Sequence, residues 1–278
     1  MRSLALLALL FFAVPVPVQE PAAAGPRIWR ILVTNDDGID SSGLKALVAA
    51  LDPLGEVVVS APAANRSGSS RSTEMFSREL KIAKVDMPGA DAAWSVDGTP
   101  ADACAYGILQ LSNERPFDLV VSGMNAGANV GEFAYVSGTI GAALEAASHG
   151  VPAFAVSLDR GGSESDAAQY SATFARDWLE RGATTEVVYS INIPHLAADA
   201  VPAVRAGRVG PAPYRLTGFT TTATGVRAQL KALTDLPDAD TDTTLFSSGA
   251  ITITPLRTDW TDAAALRALP DWMPQPAR

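Results

Sequence analysis

Apolar runs that end in polar loops recur through the first two thirds of the chain. Trp29–Thr34 is nearly continuous in apolar residues, which predicts a buried strand. The next segment, Gly43–Leu51, sets Leu44, Leu47, Val48 and Leu51 at helical spacing. Val57–Ala61 predicts a second strand, and Met75–Val96 reads as irregular strands around the turn Pro88-Gly89. "DGTPADACAYGILQL" opens a helix cleanly, with Thr99 as cap, Pro100 at the first position and Asp102 one turn in. The alternation continues as a strand at Leu119–Val121, a helix at Ile140–Ser148, a strand at Ala153–Leu158, a helix at Ala167–Arg181 and a strand at Val187–Ile191. Repeated βαβ units of this kind predict an α/β fold, a mainly parallel sheet with helices on both faces.

Past His195 the rhythm breaks. Turns rich in Pro and Gly separate short β-like pieces, "TTLFSSGAITITPL" reads as a strand pair, and Asp262–Ala268 reads as a short helix. The expected organisation is one domain over residues 25–278, with a core over about 28–194 and a C-terminal arm over about 195–278. The arm, a β-hairpin with a helix, is expected to join subunits into a homodimer or homotetramer.

Three polar loops follow three apolar strands: "NDDG", "NRSG" and "SGMNAG". In a parallel sheet all three open at the same edge, where ligands bind. That coincidence gathers Asn35, Asp36, Asp37, Asn65, Ser67, Ser122 and Asn125 into one candidate pocket. Its donors are carboxylates, hydroxyls and amide oxygens, which suit a hard divalent ion such as Mg²⁺ or Mn²⁺. Taken alone, Asp36-Asp37-Gly38 fits a tight turn that caps the next helix slightly better, since Asp-Gly is common turn chemistry. The stretch "VSGT" adds a helix start whose free N–H groups can hold an anion. A cation site beside an anion seat points to phosphate-ester chemistry. Gly123, Gly127 and Gly131 allow close backbone approach in that loop but form no dinucleotide fingerprint, and no P-loop or G-x-S-x-G occurs. Asn35 stands two residues before Asp37, where an aspartyl-phosphate route needs its nucleophilic Asp.

Net charge is −9, from 21 Lys+Arg against 30 Asp+Glu, which argues against binding a nucleic-acid polymer or an anionic membrane. The lone cysteine, Cys104, rules out a disulfide framework within the chain and reads as a core residue. Of the two histidines, His149 suits a helix C-terminus, and His195 suits a surface loop more than the edge of the site. Arg66 and Arg71 flank Ser67, and either steer a phosphate or are simply solvated. Arg2, the apolar run Leu4–Val18 and Ala22-Ala23-Ala24 match a secretory signal over residues 1–24, so export to the periplasm is expected, with no membrane contact after cleavage.

The motifs "ILVTNDDGIDSSGLKAL", "SAPAANRSGSS", "VDGTPADACAYG", "DLVVSGMNAGANVG", "YVSGTIGAALEAASHGVPAFAVS" and "ITITPL" stand in the order found in the stationary-phase survival family SurE. From Trp29 to Asp259 the chain resembles that family. The resemblance implies a Rossmann-like core and a C-terminal arm exchanged between subunits. It also implies a metal-dependent phosphomonoesterase acting on nucleoside 5′- and 3′-monophosphates, with one divalent cation per subunit. The family's metal ligands fall on Asp36, Asp37, Ser67 and Asn125, with Asp36 and Asp37 also catalytic. Its phosphate contacts fall on Asn35, Ser137, Gly138 and Thr139. The chain departs from the family pattern at Ala63 and Ala64, where a charged pair is usual. It departs again over Glu132–Val136, where the family carries acidic residues and a Tyr. The family is generally cytoplasmic, which is the alternative to export. A binding protein that captures an anion or nucleotide without turnover is the alternative to an enzyme.

Overall fold

The structure is a computed structural model that describes residues 29–112, 115–195, 201–236 and 238–269. The expected signal segment, residues 1–24, lies outside them. The first half runs β1 (Trp29–Thr34), α1 (Ser42–Leu51), β2 (Gly55–Pro62), β3 (Ile82–Val85), β4 (Ala92–Val96), α2 (Pro100–Leu111), β5 (Leu119–Ala126) and α3 (Gly138–Ser148). The second half runs β6 (Ala153–Leu158), α4 (Glu164–Glu180), β7 (Val187–Ile193), β8 (Val204–Ala206), β9 (Tyr214–Thr222), β10 (Gly225–Ala232), α5 (Asp242–Ser247), β11 (Ile251–Arg257) and α6 (Ala263–Ala268).

Nine strands form one sheet in the order β3-β4-β2-β1-β5-β6-β7-β11-β8. β1 pairs in parallel with both β2 and β5, and β6 and β7 extend the parallel set. The sheet is therefore mainly parallel with helices on both faces. On one face α1 and α4 cover Ile31, Val33, Leu119 and Val121; on the other α2 and α3 cover Leu32, Val58, Val120 and Ala155. The side chains of each strand alternate between two buried layers, which is why β1 reads as continuous apolar sequence.

The helix starts follow from local chemistry. Thr99 and Asp102 complete a capping box on α2, as the sequence predicts, and Ser41 caps α1 by accepting from Leu44 N. Cys104 is fully buried in α2, where burial, and then the charge of Glu145, push its thiol well up.

The segment "TTLFSSGAITITPL" corrects the expected strand pair. Its first half is helix α5, capped by the Thr241 hydroxyl, and only its second half is a strand. β11 then pairs antiparallel with β7, so this part of the C-terminal section completes the central sheet. The separate hairpin is β9–β10.

The chain moves outward from β1 to β2 and β4, then returns to place β5 on the other side of β1. This reversal is the switch point at which loops diverge and leave a crevice. The loops after β1 and β5 start there.

Candidate active site

Asp36 and Asp37 leave the end of β1, and every loop around them bonds to this pair or its backbone. Asp36 is buried, 2% exposed, and accepts from Thr139 Oγ1 at 2.6 Å. Its backbone carbonyl accepts from Arg66 N at 2.7 Å. Asp37 Oδ1 accepts from Asn65 Nδ2 at 3.0 Å, and Asp37 Oδ2 from Ala126 N at 2.8 Å. Asn65 Oδ1 in turn accepts from Ser67 N at 3.0 Å. The loops after β1, β2 and β5 and the N-terminus of α3 thus meet on two adjacent carboxylates.

Burial pushes the Asp36 carboxyl up to about 6; the Thr139 hydrogen bond pulls against this and the charge of Asp37 adds to it. Two neighbouring acids in such a place call for a positive partner. Among the described residues no three His, Cys, Asp or Glu side chains gather as a metal cluster. A cation here would rest on the two carboxylates plus neutral oxygens. The residues present fit it. The amide nitrogen of Asn125 donates to Gly127 O at 2.6 Å, which leaves its oxygen as the atom available to a ligand. A side chain at Gly138 would put a Cβ 2.8 Å from Asp36 Cβ and 2.9 Å from Ser69 Oγ, so glycine keeps the space beside Asp36 open. The Ser69 hydroxyl is buried there without a hydrogen-bond partner.

Ser137 caps α3 by accepting from Ile140 N, and Gly138 and Thr139 form the first turn of the helix. The N-terminus of this eleven-residue helix lies beside Asp36, and the N–H groups at a helix start can hold an anion.

Three expectations change. Asn35 is fully buried and spends its side chain on the loop: Nδ2 donates to Gly38 O at 2.9 Å and to Ser41 Oγ at 2.8 Å, and Oδ1 accepts from Gly38 N. It shapes the turn that aims the acids. Ser122 lies within β5 beside Thr34 of β1, fully buried, and does not reach the cleft. Arg66 pairs with Asp97 at 3.3 Å and Glu74 at 3.7 Å, and Arg71 with Glu145 at 2.7 Å, so these guanidinium groups are already engaged. His149 is the C-cap of α3, with Nε2 3.0 Å from Glu145 Oε1.

The sequence reading also missed residues. Asn129 donates from Nδ2 to Ser157 Oγ at 2.9 Å and more weakly to Thr139 Oγ1 at 3.5 Å, and its backbone N donates to Asn192 Oδ1 at 2.7 Å. This largely buried polar chain, centred on the half-buried Asn129, links the end of β7 to Thr139 and so to Asp36. The visible signal was a second Asn four residues after Asn125 in the same glycine-spaced loop.

A cleft of about 320 Å³ opens beside the acids, lined by Asp37, Ser41, Asn125, Asp159, Arg160 and Glu164 among others. A sequence model described as Survival protein SurE matches residues 31–215. The chain belongs to the SurE family. It is 35% identical over 253 residues to the 5′-nucleotidase SurE of Pelobacter propionicus, covering 88% of this chain and 99% of that protein. To the 5′-nucleotidase SurE of Thermococcus gammatolerans it is 42% identical over 181 residues, 61% of this chain and 66% of the relative. The crystal structure of the SurE protein from Aquifex aeolicus matches with a TM-score of 0.76 and 31% identity, covering 86% of this chain and 98% of that one. The SurE-type motifs of the chain supply Asp36, Asp37, Asn65 and Thr139, whose hydrogen bonds tie the loops after β1 and β2 to β5 and the start of α3.

Proposed function

We propose that this protein is a divalent-cation-dependent phosphomonoesterase that hydrolyses nucleoside 5′-monophosphates, and also 3′-monophosphates, to nucleoside and phosphate. The observation that carries the reading is the convergence of four polar segments on Asp36 and Asp37 beside the N-terminus of α3. Relatives named 5′-nucleotidase SurE support the substrate class.

Asp36, Asp37, the Ser67 hydroxyl and the Asn125 amide oxygen would hold Mg²⁺ or Mn²⁺. When bound, such an ion polarises a phosphoryl oxygen and lowers the pKa of a water. The protein residues do the rest. Backbone N–H groups at Ser137, Gly138 and Thr139 bind the phosphoryl oxygens and stabilise the charge that grows on them in the transition state. The acid pair accepts the proton of the attacking water. Thr139 orients Asp36 through its 2.6 Å hydrogen bond, and Asn65 ties Asp37 to the Ser67 loop. We also assign an extracytoplasmic location, from the signal-like residues 1–24, and a homo-oligomer built through the β9–β10 hairpin.

The test is phosphate release from a panel of nucleoside 5′- and 3′-monophosphates with Mn²⁺, with Mg²⁺ and with excess chelator. Release lost both in chelator and in Asp36→Asn supports the reading. Tight nucleotide binding with no release under either ion would replace it with capture without turnover.

A further inference from the structure

The cleft that carries Asp37 and Asn125 shares a wall with a larger one. Asp159 and Arg160 line both, and the second has a volume of about 770 Å³. Gly127 and Ala128, which follow Asn125 and Ala126 directly, line it as well. Val130, Phe133, Tyr214, Leu230 and Phe246 contribute apolar and aromatic surface to it, and His195 and Ser247 contribute polar groups. The rings of Phe133 and Tyr214 stack, centroids 6.5 Å apart and planes 22° from parallel. Phe133 belongs to a short 3-10 turn, Gly131–Tyr135, that ends just before Ser137. The aromatic surface and the anion seat are thus on one stretch of backbone. Tyr214 is 48% exposed, so ring surface remains open. Arg160 is exposed, and its guanidinium makes no ion pair among the described residues.

We infer that this second cleft receives the base of the nucleotide, with Phe133 and Tyr214 as its stacking surface and Arg160 at its polar edge. These residues then set the preference for nucleotides over phosphate esters that lack a base. The inference rests on the nucleotidase reading above. The volume suits a nucleoside, and a cleft that joins aromatic side chains to polar groups such as Asp159, Arg160 and His195 can take a flat heterocycle together with its sugar. Stacking on aromatic side chains tolerates different bases, because each has a π-face. The cleft therefore favours nucleotides as a class, and the larger purines most.

The test compares KM and kcat for AMP and ribose 5-phosphate in the unaltered protein, Phe133→Ala, Tyr214→Ala and Phe133→Tyr. The expected result is a KM for AMP raised about tenfold in each Ala variant, the scale of one lost base–aromatic stack. kcat should hold, the ribose 5-phosphate constants should not move, and Phe133→Tyr should keep the original KM. Unchanged hydrolysis of ribose 5-phosphate also shows that each variant is folded, and light scattering on Tyr214→Ala checks that its assembly is unaltered. Equal KM values for the two substrates in the unaltered protein would overturn the subsite while leaving the phosphatase standing. So would Ala variants that affect both substrates alike or neither. No hydrolysis of either substrate by the unaltered protein would sink the nucleotidase reading and this inference with it.

Discussion

Asp102 shows how one carboxylate serves a helix and a site loop together. It closes the capping box of α2 with Thr99, accepts from the Thr73 hydroxyl, and accepts from the backbone N–H groups of Glu74 and Met75. Those residues end the loop that begins at Asn65 and carries Ser67. Burial pushes this carboxyl up, but the hydrogen bonds from Thr73, Thr99, Glu74 and Met75 outweigh it and hold the pKa below its ordinary 3.8. A folded-state pKa below the unfolded one gives stability that is present above about pH 4 and lost as pH falls through the folded value. Asp102→Asn should therefore melt about 5 °C lower than the unaltered protein at pH 7. The gap should close below about pH 4, where the unaltered carboxyl takes up its own proton. Melting curves of both proteins across pH check this, and a constant gap would mean the charge plays no part. At this scale the sequence placed Asp36, Asp37, Asn65 and Asn125 at one edge of the sheet, where the structure has them. Residue type alone did not reveal that Asn35 is spent on its own turn. It did not show Asn129 or Asn192. A lone Asn has no periodicity, and their partnership exists only because the sheet brings the end of β7 beside the loop after β5.

Among the elements, α3 carries the site and its packing is unforgiving. A Cβ at Gly141 would stand 2.0 Å from Ser70 O and 2.8 Å from Arg71 N. These are backbone atoms of the loop that holds Ser67, and Ser70 N also donates to Val136 O at 3.1 Å. In an exposed helix interior Gly→Ala adds roughly 1 kcal/mol of stability. Here the overlap reverses the sign, and Gly141→Ala should cost roughly 2 kcal/mol by forcing the loop away. It should also weaken cation binding, measured by Mn²⁺ titration of the folded variant. An unchanged affinity would show that the Ser67 loop adapts freely. The βαβ part was legible as elements because each strand and helix carries its own period. The α5 segment was not: in "TTLFSSG" the apolar residues are few and β-branched Thr suggests a strand. What decides for helix is the Thr241 cap together with Asp242. Asp242 is buried and accepts from Gly210 N at 2.8 Å and Gly131 N at 3.0 Å, contacts no local pattern announces.

For the whole molecule, the hairpin β9–β10 is the part the chain does not complete by itself. Every residue of β10 is exposed, and so is every residue of β9 except Gly218. Leu216, Phe219, Val226 and Leu230 present 56 to 67% of their surface to solvent. A two-stranded ribbon without a packed face is at best marginally stable in water, and apolar residues on both strands mark it as an interaction surface. A second copy of the chain is the partner to expect, since symmetric self-association is the commonest way to bury such a surface. Sequence alone could place the arm after the last βαβ unit, because alternation fails there. It could not separate the hairpin from β11, which returns to the central sheet through long-range pairing with β7. Replacing residues 215–231 by a short Gly-containing turn removes the ribbon and leaves the nine-stranded sheet intact. Light scattering should then report a shift from oligomer to monomer, while Mn²⁺ binding at Asp36 and Asp37 persists, because none of their hydrogen-bond partners lies in the deleted stretch. Hydrolysis of AMP should weaken more than that of ribose 5-phosphate, because the deletion removes Leu230 and the support of Tyr214 from the second cleft. An unaltered mass in solution would place the subunit contact elsewhere on the molecule.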